Sequence, residues 1–227
     1  MFEILKDYGI SEEKLIKFEK FSLLLKEWNN KFNLTSILDD KEIEIKHFLD
    51  SVKGEKHFTK NASVVEVGSG GGFPSIPLMI VRDDLKFTLI ESTGKKCEFL
   101  KFAIKELNLN GKVFNLRAED AGKNIDFREK FDVVTARAVA RLNTLSEYCI
   151  PLIKKGGLFV AYKGEDNGEE IESQNAFKLL GAKYKQKDKY YLYNNEYERT
   201  IHVIEKVENT PPKYPRGNGK ERSKPLW

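Results

Sequence analysis

The feature that most constrains the fold is a glycine-rich segment that directly follows a short apolar run. Glycines alternate at Gly68, Gly70 and Gly72, immediately after the strand-like residues 64–67. Glycine allows a tight backbone turn and lets a ligand approach the main chain with no Cβ in the way. The arrangement is typical of the cofactor loop after the first strand of a Rossmann-like sheet, although a simple turn is the alternative that the glycines alone leave open.

Two acidic residues indicate which cofactor such a loop would bind. Glu66 precedes the glycines, where its charge would repel a dinucleotide pyrophosphate but suit a cation, and Phe73 stands where the dinucleotide pattern needs its last glycine. Glu91 ends a second strand-like run. It follows the glycines by about 20 residues, a spacing at which a carboxylate can bind the ribose hydroxyls of a cofactor. The alternative is that Glu91 is a solvent-exposed residue at the start of the next helix. We therefore expect S-adenosylmethionine, which has a ribose and two cationic groups but no phosphate.

Strand-like and helix-like runs alternate after Ser63, which predicts a doubly wound, mostly parallel sheet. The predicted strands are 64–67, 85–90, 112–117, 131–135 and 158–163, and the predicted helices are 75–82, 95–107, 142–153 and 167–180. A closing antiparallel hairpin is predicted around 190–193 and 200–207. The expected fold is α/β, a Rossmann-like class I S-adenosylmethionine-dependent methyltransferase with a seven-stranded sheet.

An amphipathic helix is predicted before the sheet, over 11–32 with Ser11 as its cap, because apolar residues recur there at helical spacing. A second helix is predicted through 43–49. We therefore expect an N-terminal helical cap at 1–60, a Rossmann-like core at 61–207 and a basic C-terminal tail at 208–227.

Positive charge is concentrated at the C-terminus. Residues 206–227 contain six basic and two acidic residues, so their charge of +4 equals the net charge of the whole chain. With Tyr214 and Trp227 among them, these residues suit a polyanion that carries stacking bases. We therefore expect the tail to contact RNA, and a disordered, solubilising end is the alternative.

Cysteine usage and hydropathy argue against several other classes of protein. Cys97 and Cys149 are isolated in a chain with no secretory signal, which favours neither a disulfide framework nor a zinc site. The longest apolar run, 76–81, is too short to cross a bilayer. We expect a soluble, cytoplasmic, monomeric protein with no metal site and no membrane partner.

Ligands of such a sheet lie beyond the carboxyl ends of its strands, so the residues after each predicted strand are the candidate site. Ala118 and Glu119, after the third strand, suit the adenine of the cofactor. Arg137, after the fourth, places a cation at the sheet edge, unless it pairs with a nearby carboxylate. Lys163, after the fifth, suits a substrate phosphate or belongs to a plain turn.

The residues after the fourth strand also limit the atom that can be methylated. They contain neither the Pro-Pro-aromatic loop that methylases of exocyclic amines need nor a Pro-Cys nucleophile. His47, His57 and His202 lie outside the loops that follow the strands, so no general base is evident. A ring nitrogen with a free lone pair, such as guanine N7, needs no base. We therefore expect the protein to work by positioning its reactants, with no catalytic residue.

Over nearly its whole length the chain resembles the RsmG (GidB) family of ribosomal RNA methyltransferases. The resemblance is carried by Trp28-Asn29, Asn33-Leu34-Thr35, His47-Phe48-Leu49-Asp50-Ser51, Glu66-Val67-Gly68-Ser69-Gly70-Gly71-Gly72-Phe73-Pro74, Lys95-Lys96, Arg117-Ala118-Glu119, Thr135-Ala136-Arg137-Ala138, Tyr162-Lys163-Gly164, Tyr214-Pro215-Arg216 and Lys224-Pro225-Leu226. It implies methylation of guanine N7 at the conventional position 527 of 16S ribosomal RNA, so that this RNA or the small ribosomal subunit is the partner.

The resemblance also implies the cofactor site. Together with Gly70, the expected cofactor contacts are Gly68, Phe73, Glu91, Ser92, Thr93, Ala118, Glu119 and Arg137. Contacts with RNA are expected at the cationic residues Lys163, Arg199, Arg216, Lys220 and Arg222. The chain departs from the family pattern only mildly, with Glu91 where aspartate is usual and Gly71 where alanine or proline is common.

Two other functions stay open at this point. A non-catalytic RNA-binding or ribosome-assembly factor would keep the fold and a vestigial cofactor pocket, but intact Gly68, Gly70 and Glu91 argue against it. A methylase that acts on a small molecule or a protein would leave the cationic tail unexplained. Thermal stabilisation by S-adenosylmethionine would separate an enzyme from the first alternative.

Overall fold

The computed structural model describes residues 2–227 and is built around one seven-stranded sheet. The strands are β1 (Ser63–Val67), β2 (Lys86–Glu91), β3 (Gly111–Asn115), β4 (Phe131–Arg137), β5 (Ile153–Lys163), β6 (Ala182–Leu192) and β7 (Tyr197–Lys206). Their order across the sheet is β3-β2-β1-β4-β5-β7-β6. Strands β1 to β5 are parallel and β7 lies antiparallel between β5 and β6, so the predicted closing hairpin is confirmed.

Helices pack on both faces of this sheet. They are α1 (Glu3–Asp7), α2 (Glu12–Asn29), α3 (Asp40–Glu42), α4 (Asp50–Lys53), α5 (Ser75–Val81), α6 (Gly94–Glu106), α7 (Ala118–Lys123), α8 (Leu142–Cys149), α9 (Glu169–Glu172), α10 (Gln174–Leu179) and α11 (Lys220–Ser223). A π-helical segment, Ile43–Leu49, joins α3 to α4, and 3-10 turns occur at Glu55–His57, Ile150–Leu152 and Tyr193–Asn195. Among the described residues, no helix is long and apolar enough to cross a bilayer.

The central strands have the apolar sequences of strands that are covered on both faces. Val64 of β1 pairs in register with Phe87 of β2 and Val133 of β4, and all three are buried. The sheet order reverses at β1, because β2 follows on one side and β4 lies on the other. Ligands of open α/β sheets bind beyond the carboxyl ends of the strands at such a reversal, and two cavities lie there.

One apolar cluster joins the N-terminal helices to the sheet. Phe18 and Phe21 of α2, Phe48 of the π-helical segment and Phe99 of α6 are fully buried in it. The Phe48 ring lies 4.9 Å from the Phe18 ring and 5.6 Å from the Phe21 ring, centroid to centroid. This packing holds the π-helical segment against the sheet. Such wide turns occur often at functional sites. This one carries Lys46 and His47, which line the second cavity.

The structure departs from the predicted elements in places where local signals were misread. The helix predicted at 142–153 ends at Cys149, because Pro151 has no N–H to continue it. The helix predicted at 167–180 is divided into α9 and α10 at Ser173, whose hydroxyl donates to the Glu169 carbonyl at 2.7 Å. The hairpin strands are longer than predicted, and α7 was not predicted. Ser11 precedes α2 but makes no side-chain capping bond.

Candidate active site

A cavity of about 400 Å³ lies beyond the carboxyl ends of β1, β2 and β3. We call it the first cavity. Four of the expected cofactor contacts line it, namely Gly68, Ser92, Ala118 and Glu119. They follow three different strands, so the sheet itself brings them together, as the rule for ligands of α/β sheets predicts.

The glycine loop reaches the first cavity at Gly68, and its backbone adopts left-handed conformations. The φ angles of Gly68 and Gly70 are 72° and 54°, which other residues rarely adopt. A Cβ on Gly70 would meet nothing nearer than the Gly68 carbonyl oxygen at 3.9 Å, so open space lies beside it. A Cβ on Gly68 would lie 2.7 Å from a methyl carbon of Val139. The loop therefore permits the close approach of a cofactor that its sequence predicts.

Glu91 ties the glycine loop to the end of β2. One of its carboxylate oxygens accepts from the Gly70 N–H at 2.9 Å and the other from the Thr93 N–H at 2.8 Å. The residue is only 6% exposed and lies between Ile90 and Ser92, which line the first cavity. An ionised carboxylate has about four acceptor sites, so both oxygens keep capacity for ribose hydroxyls. The site thus fits S-adenosylmethionine without a change in the loop.

Glu66 lies beneath the glycine loop and lines neither cavity. Its side chain is fully buried, and neither carboxylate oxygen has a hydrogen bond of normal geometry. Burial raises the pKa of Glu66 to about 7, although the nearby Ser75 and Ser69 hydroxyls and the charge of Arg137 act in the opposite direction. Glu66 can therefore favour a cationic ligand only through the loop, and only when it is deprotonated.

A second cavity, of about 390 Å³, lies beside the ends of β4 and β5. Its polar lining comes from the N-terminal helices, from both strand ends and from β7, and includes Lys46, His47, Asp50, Arg137, Lys163 and Arg199. Arg137 was expected to contact the cofactor, but the structure places it in this cavity and not among the residues that line the first. Its cofactor contact stays a prediction.

Asp50 is the centre of the charged network in the second cavity. Its carboxylate accepts from Arg137 Nη1 at 2.9 Å and from the Tyr190 hydroxyl at 2.8 Å. Arg199 Nε lies 3.7 Å from the same carboxylate, and the Asp50 side chain is only 6% exposed. The alternative raised for Arg137, pairing with a nearby carboxylate, is therefore observed. Two cations balanced by one buried carboxylate leave this cavity with a net positive lining.

His47 is a neutral imidazole whose two nitrogens are both engaged. Arg137 Nη2 lies 3.2 Å from His47 Nδ1, and a guanidinium only donates, so Nδ1 is the acceptor and Nε2 carries the proton. Nε2 then donates to the Thr35 hydroxyl at 2.8 Å. Burial and the charge of Arg137 lower the pKa of His47 to about 3. The sequence placed this histidine away from the site, whereas the structure brings it there as a positioning group.

The two cavities share a wall at the end of β4. Arg137 and Ala138 line the second cavity, and Val139 lines the first. Ala138 has a φ of 58°, so the chain turns sharply between them. Phe73 packs beneath this wall, with its ring 4.3 Å from the His47 ring and 5.1 Å from the Arg137 guanidinium carbon. A group bound in one cavity therefore lies next to a group bound in the other.

Four of the five expected RNA contacts are divided among three places, and Arg216 lies in a fourth. Lys163 and Arg199 line the second cavity, and the Lys163 ammonium lies 2.8 Å from the Glu169 carboxylate. Lys220 is exposed on α11. Arg222 lines the first cavity. The sequence did not predict this last position, because it treated the tail as a separate binding segment.

The C-terminal residues are folded onto the body, and Arg216 is engaged there with a buried carboxylate, so its expected RNA contact stays a prediction. The backbone N–H and the guanidinium of Arg216 bind the Glu147 carboxylate at 2.7 to 3.2 Å, and Glu147 is fully buried. Lys206 is also buried, 3.2 Å from Glu129, and burial lowers its pKa to about 8. Two of the six cations counted in 206–227 are therefore engaged inside the protein.

Sequence reasoning missed several residues of the site. Asp50 could have been grouped with His47 from the sequence, because it follows His47 by three residues and so lies on the same helix face. Tyr190, which donates to Asp50, and Tyr148, which lines the first cavity, had none. Both are brought to the site only by the tertiary fold.

Comparisons with known proteins agree with this geometry. The family model described as rRNA small subunit methyltransferase G matches residues 14–194. The ribosomal RNA small subunit methyltransferase G of Exiguobacterium sibiricum is 46% identical over 221 residues, which are 96% of this chain and 93% of that protein. The protein of the same name from Brevibacillus brevis is 45% identical, with 99% and 97% covered.

Solved structures show the same fold at low identity. The O-methyltransferase from Bacillus cereus in complex with SAH has a TM-score of 0.56 at 16% identity, covering 82% of this chain and 91% of that one. M. jannaschii TYW2 in complex with AdoMet has a TM-score of 0.52 at 15% identity, covering 70% and 77%. The expected class I methyltransferase fold is thereby confirmed. The chain belongs to the rRNA small subunit methyltransferase G (GidB) family, and it is an S-adenosylmethionine-dependent methyltransferase.

Proposed function

We propose that the protein transfers the methyl group of S-adenosylmethionine to N7 of one guanine in 16S ribosomal RNA, at the conventional position 527, and that it does so in the cytoplasm. The names of its relatives support small-subunit ribosomal RNA as the substrate. The second cavity is the observation that carries the choice of atom. It adjoins the first cavity, has a cationic lining and, among the described residues, contains no free general base.

The first cavity would hold the cofactor. Gly68 and Gly70 let the backbone approach its methionine part, and Glu91 would accept from the ribose hydroxyls. Ala118 leaves room for the adenine ring, and Glu119 is an acceptor for its amino group. When bound, the cofactor supplies a methyl group on a positively charged sulfur.

The second cavity would hold the target base, flipped out of its stack. Guanine presents the donors N1–H and N2–H on one edge and the acceptor O6 beside N7 on another. Asp50 keeps acceptor capacity for the first edge, and Arg137, Lys163 and Arg199 offer donors to O6. Adenine has an amino group in place of O6, which these cations would not bind. The lining therefore supports guanine.

Transfer to N7 requires no proton removal, because the nitrogen attacks with a ring lone pair. This requirement fits the side chains present. His47 has a pKa of about 3 and both nitrogens engaged, and Asp50 is paired with Arg137. Their role is to fix the base against the shared wall, and proximity and orientation supply the rate.

The test is methylation of small ribosomal subunits by the purified protein with labelled cofactor. Mass spectrometry of the nucleosides should find 7-methylguanosine, and primer extension after cleavage at that base should map it to a single position. An Asp50→Asn variant should bind the cofactor normally and lose transfer. Methyl transfer to another atom or base would refute the proposal. No transfer to the small subunit, although RNA and cofactor both bind, would also contradict the proposal.

A further inference from the structure

The first cavity is incomplete without the C-terminal residues. Besides the strand ends, it is lined by Val139 and Tyr148 and by two residues of the tail, Gly219 and Arg222. Residues 216–223, which we call the C-terminal strap, therefore form part of the proposed cofactor site. From the sequence, Arg216, Lys220 and Arg222 of this segment were expected to contact RNA.

The strap is held in place by α8, the helix that also carries Tyr148. Arg216 binds the buried Glu147 of α8 with its backbone N–H and its guanidinium. The Thr144 hydroxyl donates to the Glu221 carbonyl at 3.0 Å. The Glu221 side chain is itself fully buried and accepts from the Gly217 N–H. These contacts fix the strap on both sides of Gly219. The cavity wall that the strap forms is therefore held by specific hydrogen bonds.

The strap lies over the side of the site that belongs to β3. Lys123 of α7, the helix after β3, donates to the Arg216 carbonyl at 3.3 Å, and Gly122 of α7 packs against Pro215. The transferable methyl group has to face the second cavity, beyond the end of β4. The β3 side is therefore left for the adenosine part of the cofactor.

Arg222 differs from the other cations of the tail. Arg222 is exposed, as are Lys213, Lys220 and Lys224, but it lines the first cavity and the three lysines do not. The Arg222 guanidinium lies near enough to the Tyr148 hydroxyl to lower its pKa, against the larger raising effect of burial. Its guanidinium therefore lies at the first cavity together with the aromatic ring of Tyr148, which also lines it.

We propose that Arg222 is a cofactor-binding residue that contacts the adenosine part of S-adenosylmethionine, and that the C-terminal strap is a wall of the cofactor site. A guanidinium suits both the face of an adenine ring and its acceptor nitrogens. The proposal rests on the cofactor site described above, and it assigns to Arg222 a role in cofactor binding in place of the expected RNA contact.

The experiment is calorimetry of the full-length protein with two ligands, S-adenosylmethionine and 5′-methylthioadenosine, which has the adenosine part but no methionine chain. Arg222→Ala should weaken both by the same factor, about tenfold, as expected for the loss of a charged hydrogen bond. Lys224→Ala, which removes a neighbouring exposed charge, should leave both affinities unchanged. Arg222→Lys should recover only part of the loss, because lysine lacks the planar fork.

Two further readouts separate binding from a structural role. The melting temperature of the ligand-free Arg222→Ala protein should equal that of the wild type, since Arg216 and Glu221 still hold the strap. Unchanged affinity for both ligands would overturn the proposal, and so would a loss for S-adenosylmethionine without a loss for methylthioadenosine. No RNA is used, so methylation of a different base would overturn the proposed function and leave this result standing.

Discussion

The two cavities are built in different ways. The first is shaped mainly by the backbone, since it forms where strands end and where Gly68 turns the chain. The second is shaped by side-chain charge, since Asp50 holds Arg137 and Arg199 from distant parts of the chain. We therefore expect an added Cβ to block binding at the first cavity. Removal of a charge should destabilise the second cavity.

The largest effect should come from removing the carboxylate of the second cavity. Asp50→Ala leaves Arg137, whose side chain is only 14% exposed, without its partner, and the free energy of unfolding should fall by about 3 kcal/mol. Urea denaturation measures this. Glu106→Ala, which breaks the exposed pair with Lys20, is the matched control and should cost about 1 kcal/mol or less. Equal losses of unfolding free energy in Asp50→Ala and Glu106→Ala would show that the second cavity depends on its charges no more than an exposed ion pair does.

The next effect concerns pH and comes from Glu66, which is buried beneath the glycine loop. The folded protein holds a proton on Glu66 up to about pH 7, whereas the unfolded chain releases it near 4.5. The free energy of unfolding of the wild type should therefore fall as pH rises from 4.5 to 7. Glu66→Gln lacks this loss and should gain about 3 kcal/mol relative to the wild type across that window. A difference in stability between Glu66→Gln and the wild type that does not vary with pH would contradict the raised pKa of Glu66.

The glycine loop gives a smaller change in stability but a selective change in binding. Gly70→Val places a side chain on a left-handed backbone and in the open space beside the loop, so it should cost about 1 to 2 kcal/mol and block S-adenosylmethionine. Gly156 is a suitable control, because its φ is 86° and no atom lies within 4 Å of its Cβ position. Gly156→Val should cost similar stability and keep the calorimetric affinity. Wild-type cofactor affinity in Gly70→Val would end the assignment of the loop.

The smallest effect tests whether RNA extends past the second cavity to the tail. If Lys220 contacts a phosphate, Lys220→Ala should lower the slope of log affinity against log salt by about 0.7 to 0.9. Lys155→Ala removes an exposed cation near the opposite end of the sheet and should leave the slope unchanged. Identical slopes for the three proteins would confine RNA contacts to the second cavity and its surroundings.

Most of the fold and the first cavity could be predicted because their signals are local. Alternating strands and helices specify the sheet, and the residues after β1, β2 and β3 are neighbours wherever that sheet forms. The second cavity could not be predicted in the same way. His47 was set aside because it follows no strand, yet the π-helical segment carries it over the sheet edge.

The tail shows a second reason why prediction from sequence fails. A count of charges over 206–227 cannot reveal that Arg216 has a partner, because Glu147 lies far away in a predicted helix with no distinguishing pattern. Exposed and engaged cations look alike in a sequence. Only the tertiary fold, which brings Arg216 to Glu147 and Lys206 to Glu129, separates these two cations from the exposed lysines of the tail.

The bond between Glu147 and Arg216 also has a consequence for the order in which the chain is made. Synthesis proceeds from the N-terminus, so Glu147 emerges from the ribosome before its partner exists. A nascent or prematurely ended chain would bury a carboxylate with no cation beside it, at a cost of about 3 to 5 kcal/mol, which is a large share of the stability of most domains. Such chains would spend more time unfolded and be degraded first. Arg216 thus removes this cost once it has been synthesised and can reach Glu147.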